Sequence, residues 1–154
     1  CCSACLGGEV PQLIKNGDLA KAEETVMWFK NLFGDDFYLE LQIHKATIPR
    51  ANHEVYPLQL EVNEKLVEYS KQFGIKLVCT NDVHYIEKDD AQMQQVLTCI
   101  QTATTLDQPS PLNFETEEFY LKSADEMAPR FPADAIENTV KIAERCQVAP
   151  CKTV

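Results

Sequence analysis

Apolar residues recur at helical spacing in several long segments of this chain, and short apolar runs lie between those segments. In the segment 19–33, Ala22, Val26, Phe29 and Phe33 are separated by four, three and four positions. This spacing places them on one face of a helix, which we expect to pack on the core. The same criteria predict helices over 11–15, 58–73, 87–102, 124–131 and 132–146, and strands over 37–44, 75–79 and 119–121. Strands that alternate with helices of similar length are typical of parallel β/α units.

The apolar faces of the predicted helices lead to further expectations about packing. Trp28 and Met27 widen the apolar face of the helix 19–33, and we interpret them as packing residues rather than as part of a cofactor site. The helix 87–102 has an apolar side formed by Ala91, Val96, Leu97 and Ile100. In the helix 132–146, the residues expected to face inward are Ile136, Val140, Ile142 and Ala143.

The segment 37–44 alternates in a way that is typical of a β-strand with two different faces. The first face is entirely apolar, and the second carries polar side chains. The polar side chains either line a site or face solvent, and the pattern leaves both possibilities open. The first set is Phe37, Leu39, Leu41 and Ile43, and the second is Tyr38, Glu40, Gln42 and His44.

The stretch 75–85 organises the chain, because an apolar run ends there in a series of polar residues. Gly74 ends the preceding helix, and the apolar run that follows is typical of a buried parallel strand. Ligands gather at the carboxyl ends of such strands. If the backbone stays extended, Asp82 and His84 project to the same side and form a metal pair or an acid–base pair. The alternative is a turn in which Asp82 caps the backbone and His84 is merely exposed.

Composition narrows the range of partners. The 154 residues suffice for one domain with a real core, and the apolar content of 45% is ordinary for a globular protein. Because no apolar run approaches the roughly 20 residues that a membrane span requires, we expect no membrane partner. The formal net charge of −10 disfavours a bulk electrostatic grip on phosphate backbones, so any contact with nucleic acid has to be local or metal-mediated.

The seven cysteines point to a reducing compartment. Cys79 lies inside the apolar strand and Cys99 inside a predicted helix, which are positions for buried free thiols rather than for disulfides. We therefore expect a cytoplasmic protein. Cys1, Cys2 and Cys5 supply only half of a zinc-ribbon site, which leaves a single thiolate ligand as the remaining metal-binding role. Since the chain begins at Cys1 and not at Met, we also expect that it was cut from a longer one.

The sequence lacks the common motifs of catalysis and nucleotide binding. It contains no Gly-rich phosphate loop, no Gly-x-Ser-x-Gly and no His-Glu-x-x-His. We therefore predict no catalytic residue and no residue that binds an organic cofactor. The predicted strands are too few for a closed barrel of about eight strands, so the chain looks like part of one.

Four segments, in order along the chain, resemble the bacterial replicative DNA polymerase III alpha subunit. More narrowly, they resemble the C-terminal half of its PHP (polymerase and histidinol phosphatase) domain and the start of the link toward the polymerase core. The resemblance runs over nearly the whole chain. The segments are Ser-Ala-Cys-Leu-Gly-Gly-Glu at 3–9, Phe-Tyr-Leu-Glu-Leu-Gln at 37–42, Thr-Asn-Asp-Val-His-Tyr at 80–85 and Glu-Asn-Thr-Val-Lys-Ile-Ala-Glu-Arg-Cys at 137–146.

The resemblance implies an α/β fold that is part of a distorted (β/α)7 PHP barrel, with a helical C-terminal extension. Residues 1–106 would be the C-terminal half of the PHP domain, and residues 107–154 the strand and helices that lead toward the polymerase core. Asp82 and His84 match the last ligand pair of the family's metal cluster, and Cys5 matches a ligand on its Cys-Leu-Gly-Gly loop. The metal would be a divalent ion (Zn, Mn or Mg), and because the first half of the domain is absent, we expect an incomplete site.

The resemblance also implies two alternative functions within a DNA-directed DNA polymerase. In the first, the segment is a structural and docking platform with a partial metal site. In the second, the intact domain is a metal-dependent phosphoesterase, acting as a proofreading exonuclease or a pyrophosphatase. The implied partners are the remainder of the alpha chain, the proofreading exonuclease subunit and, through the parent, DNA. We expect the chain alone to be inactive and to self-associate through exposed strand edges and core faces.

Overall fold

The structure, a computed structural model, describes residues 1–45, 55–108 and 116–147. These residues have a mixed α/β architecture with a small parallel sheet, as the alternation of helices and strands predicted. Strands β1 (Tyr38–Leu41) and β2 (Lys76–Cys79) pair in parallel, with Tyr38 opposite Lys76 and Leu41 opposite Cys79. The six α-helices of the described residues are α1 (Glu9–Lys15), α2 (Leu19–Phe33), α3 (Val55–Phe73), α4 (Ala91–Thr102), α5 (Ala124–Met127) and α6 (Ala133–Arg145).

Local signals place the helix ends close to where the sequence predicted them. The Asp18 side chain accepts a hydrogen bond from the Lys21 N–H at 3.2 Å and caps α2. Ser123 and Glu126 form a reciprocal capping box at the start of α5. Between α3 and β2, Gly74 has a φ of +64°, a conformation that favours glycine. The starts of α3 and α4 depart most from the prediction, because α3 begins at Val55 rather than at 58 and α4 begins at Ala91 rather than at 87.

Two further segments extend the sheet on a small scale. Cys2 forms an isolated parallel bridge with Tyr38, which agrees with a strand-like entry into the opening loop. The predicted strand at 119–121 is reduced to one parallel bridge between Tyr85 and Tyr120. Next to this bridge, the His84 N–H donates to the Phe119 carbonyl at 2.8 Å. The residues that follow β2 are therefore held by the segment near 120.

The core lies between the sheet and the helices that pack on it. The α6 helix packs on β2, where the Asn138 amide donates to the Leu77 carbonyl at 2.8 Å. The Cys79 Sγ–H donates to the Ala135 carbonyl at 3.7 Å, and burial raises the pKa of this thiol to about 11. The buried cluster consists of Val10, Ile14, Ala22, Val26, Phe37, Leu39, Leu41, Val62, Leu66, Tyr69, Ile75, Leu77, Cys79, Phe131 and Ala135.

Some expectations about helix faces are wrong. On α2, Trp28 is 58% exposed and Phe33 is 41% exposed, so neither is a core residue. On α6, Val140 is 56% exposed and Ala143 is exposed as well, whereas Asn138 is buried. The α6 helix has nearly the predicted bounds, but its inward face differs from the expected one, because it uses a hydrogen bond from Asn138 to approach the sheet.

Other predictions concern cysteines, loops and membranes. Cys79 and Cys99 are buried thiols, as predicted. The polar stretches around His53 and around Pro109 and Pro111, for which the sequence indicates loops, and the tail from Val148 lie outside the described residues. Within the described ranges, no helix is both long enough and apolar enough to cross a bilayer. The boundary predicted at 106/107 stays a prediction.

The opening loop contains adjacent glycines with different roles. A Cβ on Gly8 would lie 2.3 Å from the Ser3 carbonyl oxygen, whereas a Cβ on Gly7 would lie 3.7 Å from the Cys5 sulfur. We therefore expect Gly8→Ala to lower the free energy of unfolding by about 1–3 kcal/mol, because the backbone has to move. Urea titration followed by circular dichroism measures this loss. Gly7→Ala is the matched control, and equal effects of the two substitutions would contradict the prediction.

Candidate functional site

The backbone after β2 turns at the residues predicted to hold a metal. The Thr80 N–H still donates to the Leu41 carbonyl at 3.1 Å, but Asp82 has a φ of +47°. The backbone is therefore not extended at Asp82, and the geometric condition for placing the Asp82 and His84 side chains on one side fails. Both residues are exposed.

The imidazole of His84 is oriented by the turn itself. Its Nδ1 lies 2.6 Å from the Asp82 carbonyl oxygen, and its ring meets the Phe119 ring edge-on at a centroid distance of 5.4 Å. A backbone carbonyl on one ring nitrogen is the usual arrangement of histidines that ligate metal through the other nitrogen. The Asp82 carbonyl thus acts as a positioning group for His84.

Cys5, the third predicted ligand, belongs to the opening loop. It is exposed on the opening loop, where it lines a small cleft with Glu40, Gln42 and Asn63 near the end of β1. Among residues 1–45, 55–108 and 116–147, no three His, Cys, Asp or Glu side chains are grouped so that they could hold one metal ion. The described residues do not assemble the predicted site, so we assign no chemical step through a metal. The ligand set Cys5, Asp82 and His84 stays a prediction.

The polar face of β1 joins β2 in a hydrogen-bonded network. Thr80 donates its hydroxyl to Glu40 Oε1 at 2.5 Å, and the Gln42 amide donates to the same carboxylate at 3.0 Å and to Thr80 Oγ1 at 2.9 Å. The Asn63 amide of α3 donates to the Gln42 carbonyl at 2.9 Å. Gln42 is buried, so the possibility that this face is solvated is wrong at that position.

The His44 side chain is buried, and both of its ring nitrogens form hydrogen bonds. It is 2% exposed, and its ring stacks on Phe119 at a centroid distance of 4.2 Å. Gln59 Oε1 accepts from the His44 backbone N–H at 2.7 Å, so the Gln59 amide nitrogen faces His44 Nδ1, also at 2.7 Å. Nδ1 is therefore an acceptor, and the proton sits on Nε2, which donates to the Asn81 carbonyl at 3.1 Å.

Burial lowers the pKa of His44, and the nearby charge of Lys122 acts in the same direction. The hydrogen bond to the Asn81 carbonyl and the charges of Asp82 and Glu118 oppose this shift without reversing it. The neutral ring is consequently the form that fits the native structure.

This geometry predicts a pH dependence of stability. Below the ordinary histidine pKa of 6.5, the unfolded chain binds a proton at His44 that the native state does not bind until its lower pKa is reached. The free energy of unfolding therefore falls with decreasing pH in that window, by up to about 1.4 kcal/mol per pH unit. Denaturation at several pH values measures the slope. His44→Asn should remove it, and His84→Ala, which leaves His44 in place, serves as the control; an unchanged slope in His44→Asn would contradict the assignment.

A buried charged cluster holds the residues that follow β2. Lys122 Nζ lies 3.3 Å from Glu118 Oε2 and donates to Asn81 Oδ1 at 3.3 Å. Arg130 donates to the same carboxylate oxygen at 2.7 Å. Burial opposes ionisation of Glu118, but Arg130 and Lys122 together lower its pKa below the ordinary value. Burial lowers the pKa of Lys122, with the Glu118 charge opposing the shift.

Asn81 connects this cluster to the backbone. Its side-chain amide nitrogen donates to the Glu118 backbone carbonyl at 2.9 Å and to the Tyr120 backbone carbonyl at 2.8 Å. The backbone carbonyl of Asn81 accepts the hydrogen bond from the His44 ring. Sequence reasoning gave Asn81 no role. The spacing of Glu118 and Lys122 could not reveal the cluster either, since the segment is not helical. The role of Gln59 could have been predicted from the sequence. It is a polar residue at helical spacing from Val62, Leu66 and Tyr69, on the buried face of α3.

Comparison with known proteins gives one consistent result. The chain is 42% identical over 148 residues to the DNA polymerase III subunit alpha of Borreliella burgdorferi, a match that covers 95% of this chain and 12% of that protein. The corresponding proteins of Treponema pallidum and Thermus aquaticus are 41% and 39% identical over 151 residues. The chain spans about 12% of the length of each of these relatives. No protein-family model matches the chain. These matches confirm the predicted resemblance to the alpha subunit.

Proposed function

We propose that this chain, which is homologous over 95% of its length to one segment of DNA polymerase III subunit alpha, is a structural platform within a replicative DNA polymerase. The observation that carries the proposal is the match itself, at 42% identity to a segment that makes up 12% of the relative. Nucleotidyl transfer would then depend on other parts of the polymerase, and this segment would support them in the cytoplasm.

The use of polar side chains at the strand ends supports the platform. The Gln42 amide donates to Thr80 Oγ1, and the His44 ring donates to the Asn81 backbone carbonyl. The Asn81 amide donates in turn to the Glu118 backbone carbonyl. Such fully engaged networks fix backbone segments in one arrangement. The same groups are thereby withdrawn from contact with a substrate.

The platform would be one portion of a larger domain. It would lie in the C-terminal half of a PHP barrel, and the short pairings at Cys2 and Tyr120 are compatible with strands that continue into a wider sheet. Its partners would be the remainder of the alpha chain, the proofreading exonuclease subunit and, through the polymerase, DNA.

The test uses the full-length polymerase chain that carries this segment. Asn81→Ala disrupts the network, so we expect a lower thermal midpoint of the full-length chain and a loss of DNA synthesis that follows the unfolded fraction. His84→Ala changes an exposed side chain and should leave DNA synthesis at wild-type rate. Primer extension and calorimetry measure the two effects. Normal DNA synthesis by an Asn81→Ala polymerase in which this segment has unfolded would overturn the proposal that the segment is a structural platform.

A second candidate, a metal-dependent phosphoesterase, is favoured by the orientation of His84. Its contact with the Asp82 carbonyl is the arrangement expected of a metal-ligating histidine. In the intact domain, Cys5, Asp82 and His84 would hold Zn, Mn or Mg together with residues outside this chain. A bound divalent ion supplies activated water and charge stabilisation for phosphoester hydrolysis.

The two candidates differ in what His84→Ala does to the full-length polymerase. The phosphoesterase predicts loss of bound metal, measured by mass spectrometry of the elements, and loss of hydrolysis of bis(p-nitrophenyl) phosphate. The platform predicts that DNA synthesis and thermal stability stay unchanged. Unaltered metal content and unaltered hydrolysis would remove the phosphoesterase role from these residues.

A further inference from the structure

Thr25 of α2 is 6% exposed, and its hydroxyl forms no hydrogen bond with any of the described residues. Every other buried polar residue in the described part of the chain has a side-chain hydrogen bond. On α4, the hydroxyls of Thr98 and Thr102 donate to carbonyls one turn earlier, which is a common solution for threonine in a helix. A buried hydroxyl without a partner in the protein indicates that a group from outside completes it.

Thr25 lines a cleft between α1 and α2 with a volume of about 260 Å³. The other residues that line this cleft are Glu9 of α1 and Lys21, Glu24 and Trp28 of α2. The four residues of α2 follow helical spacing, so they share one face of that helix. Pockets for drug-sized ligands measure roughly 300–1,000 Å³, so this cleft suits a single small group.

The charges around the cleft leave one carboxylate uncompensated. Lys21 Nζ lies 3.0 Å from Glu24 Oε2, so these two groups neutralise each other. The pKa of Lys21 is raised mainly by Glu24, with a smaller contribution from Glu9. Within the described ranges, Glu9 forms no ion pair of its own. A cation in the cleft is therefore favoured beside Glu9.

Trp28 adds an aromatic ring to the wall of the cleft. It is 58% exposed, and its ring lies perpendicular to that of Phe29 at a centroid distance of 5.0 Å. A contact of this kind leaves at least one face of the indole uncovered. Planar cations stack on such faces, and a guanidinium group combines stacking with forked donation to a carboxylate. The residues of the cleft therefore match a guanidinium group better than a spherical cation.

We propose that the cleft between α1 and α2 binds a guanidinium group on a short alkyl chain, carried either by an Arg side chain or by a free small cation. The planar group stacks on Trp28 and donates to the Glu9 carboxylate. A further N–H donates to the Thr25 hydroxyl oxygen and provides its missing hydrogen bond. This site goes beyond the proposed platform and does not depend on it.

The test uses the full-length polymerase chain that carries this segment, labelled with fluorotryptophan. Fluorine NMR reports on the cleft, and loss of one signal in Trp28→Phe identifies the resonance of Trp28. We expect blocked arginine (N-acetylarginine N-methylamide) or agmatine to shift this resonance saturably, with a dissociation constant on the order of 1–10 mM, because the contacts are open to solvent. The uncharged isostere N-acetylcitrulline N-methylamide and sodium chloride of equal ionic strength should not shift it.

The two guanidinium compounds distinguish the sources of the group. A response to blocked arginine assigns the cleft to an Arg side chain of a polypeptide. A response to agmatine alone assigns it to a free cation. An unchanged Trp28 resonance with both compounds would overturn the inference, as would an equal response to the citrulline compound.

Three substitutions separate binding from a structural role. Thr25→Val keeps the shape of the side chain and should weaken binding about two- to tenfold, with no fall in the thermal midpoint, since no hydrogen bond within the described protein is lost. Glu9→Gln should weaken binding about two- to fivefold, and Glu137→Gln, which alters an exposed carboxylate of α6, should leave it unchanged. A lower thermal midpoint with unaltered binding in Thr25→Val would contradict the inference, because it would give the hydroxyl an internal role.

Discussion

Glu118→Gln is expected to lower the free energy of unfolding by about 3–5 kcal/mol, the largest effect of any substitution considered in this chain. The Lys122 side chain is 0% exposed and that of Glu118 is 4% exposed. Removing the carboxylate leaves the ammonium group of Lys122 buried without its counter-charge. The remaining contacts of Lys122, to Asn81 Oδ1, to the Glu118 backbone carbonyl and to the face of the Tyr120 ring, are with uncharged groups. Urea denaturation followed by circular dichroism measures the loss.

A matched control uses the same substitution in an exposed ion pair. Glu137 lies 2.8 Å from Lys141 on α6, and the two side chains are 66% and 54% exposed. Glu137→Gln should cost about 0.5 kcal/mol or less, because solvent screens the pair. Losses of similar size in the two variants would show that the Glu118 cluster contributes no more than a surface pair.

Asn81→Ala is expected to lower the free energy of unfolding by about 2–4 kcal/mol, because several buried polar groups each lose a hydrogen bond. The carbonyls of Glu118 and Tyr120 each lose a hydrogen bond from the Asn81 amide, and Lys122 loses an acceptor. The loss should not add fully to that of Glu118→Gln, since residues of one network are energetically coupled. A double-mutant cycle measured by urea denaturation tests this coupling.

Hydrogen exchange gives a local readout of the same substitution. The His84 and Leu121 N–H groups donate to the carbonyls of Phe119 and Tyr85, and both bonds depend on the segment that Asn81 holds. Exchange at these amides should accelerate in Asn81→Ala. The exposed Asn31 of α2 provides the control, because Asn31→Ala in a helix should change stability by less than about 1 kcal/mol. Unchanged exchange at His84 would mean that Asn81 does not hold this segment.

Much of the fold was predictable because its signals are local. Asp18 caps α2, the Ser123 and Glu126 pair caps α5, and Gly74 takes a left-handed conformation before β2. These signals act within one helical turn, so the identity of a few neighbouring residues is sufficient to place them. The parallel pairing of β1 and β2 followed from the alternation of strands with helices.

The candidate site was predictable only in part. The polar end of β2 was located correctly, whereas the metal-binding roles assigned to residues within it stay a prediction. An extended backbone at Asp82 was assumed, and the structure has a φ of +47° there. The sequence left open whether His44 lines a site or faces solvent, and the structure buries it against Gln59 and Phe119.

By itself, the sequence determined roughly where the helices and the two paired strands lie, which residues cap α2 and α5, and the homology to one segment of a polymerase subunit. Only the tertiary structure decided which faces are buried: it directed Asn138 of α6 toward the sheet and left Leu97 and Ile100 of α4 outside. Only the tertiary structure paired Lys122 with Glu118 around Asn81. The physical reason is that capping and periodicity act over a few residues, whereas burial and charge pairing depend on which distant surfaces meet.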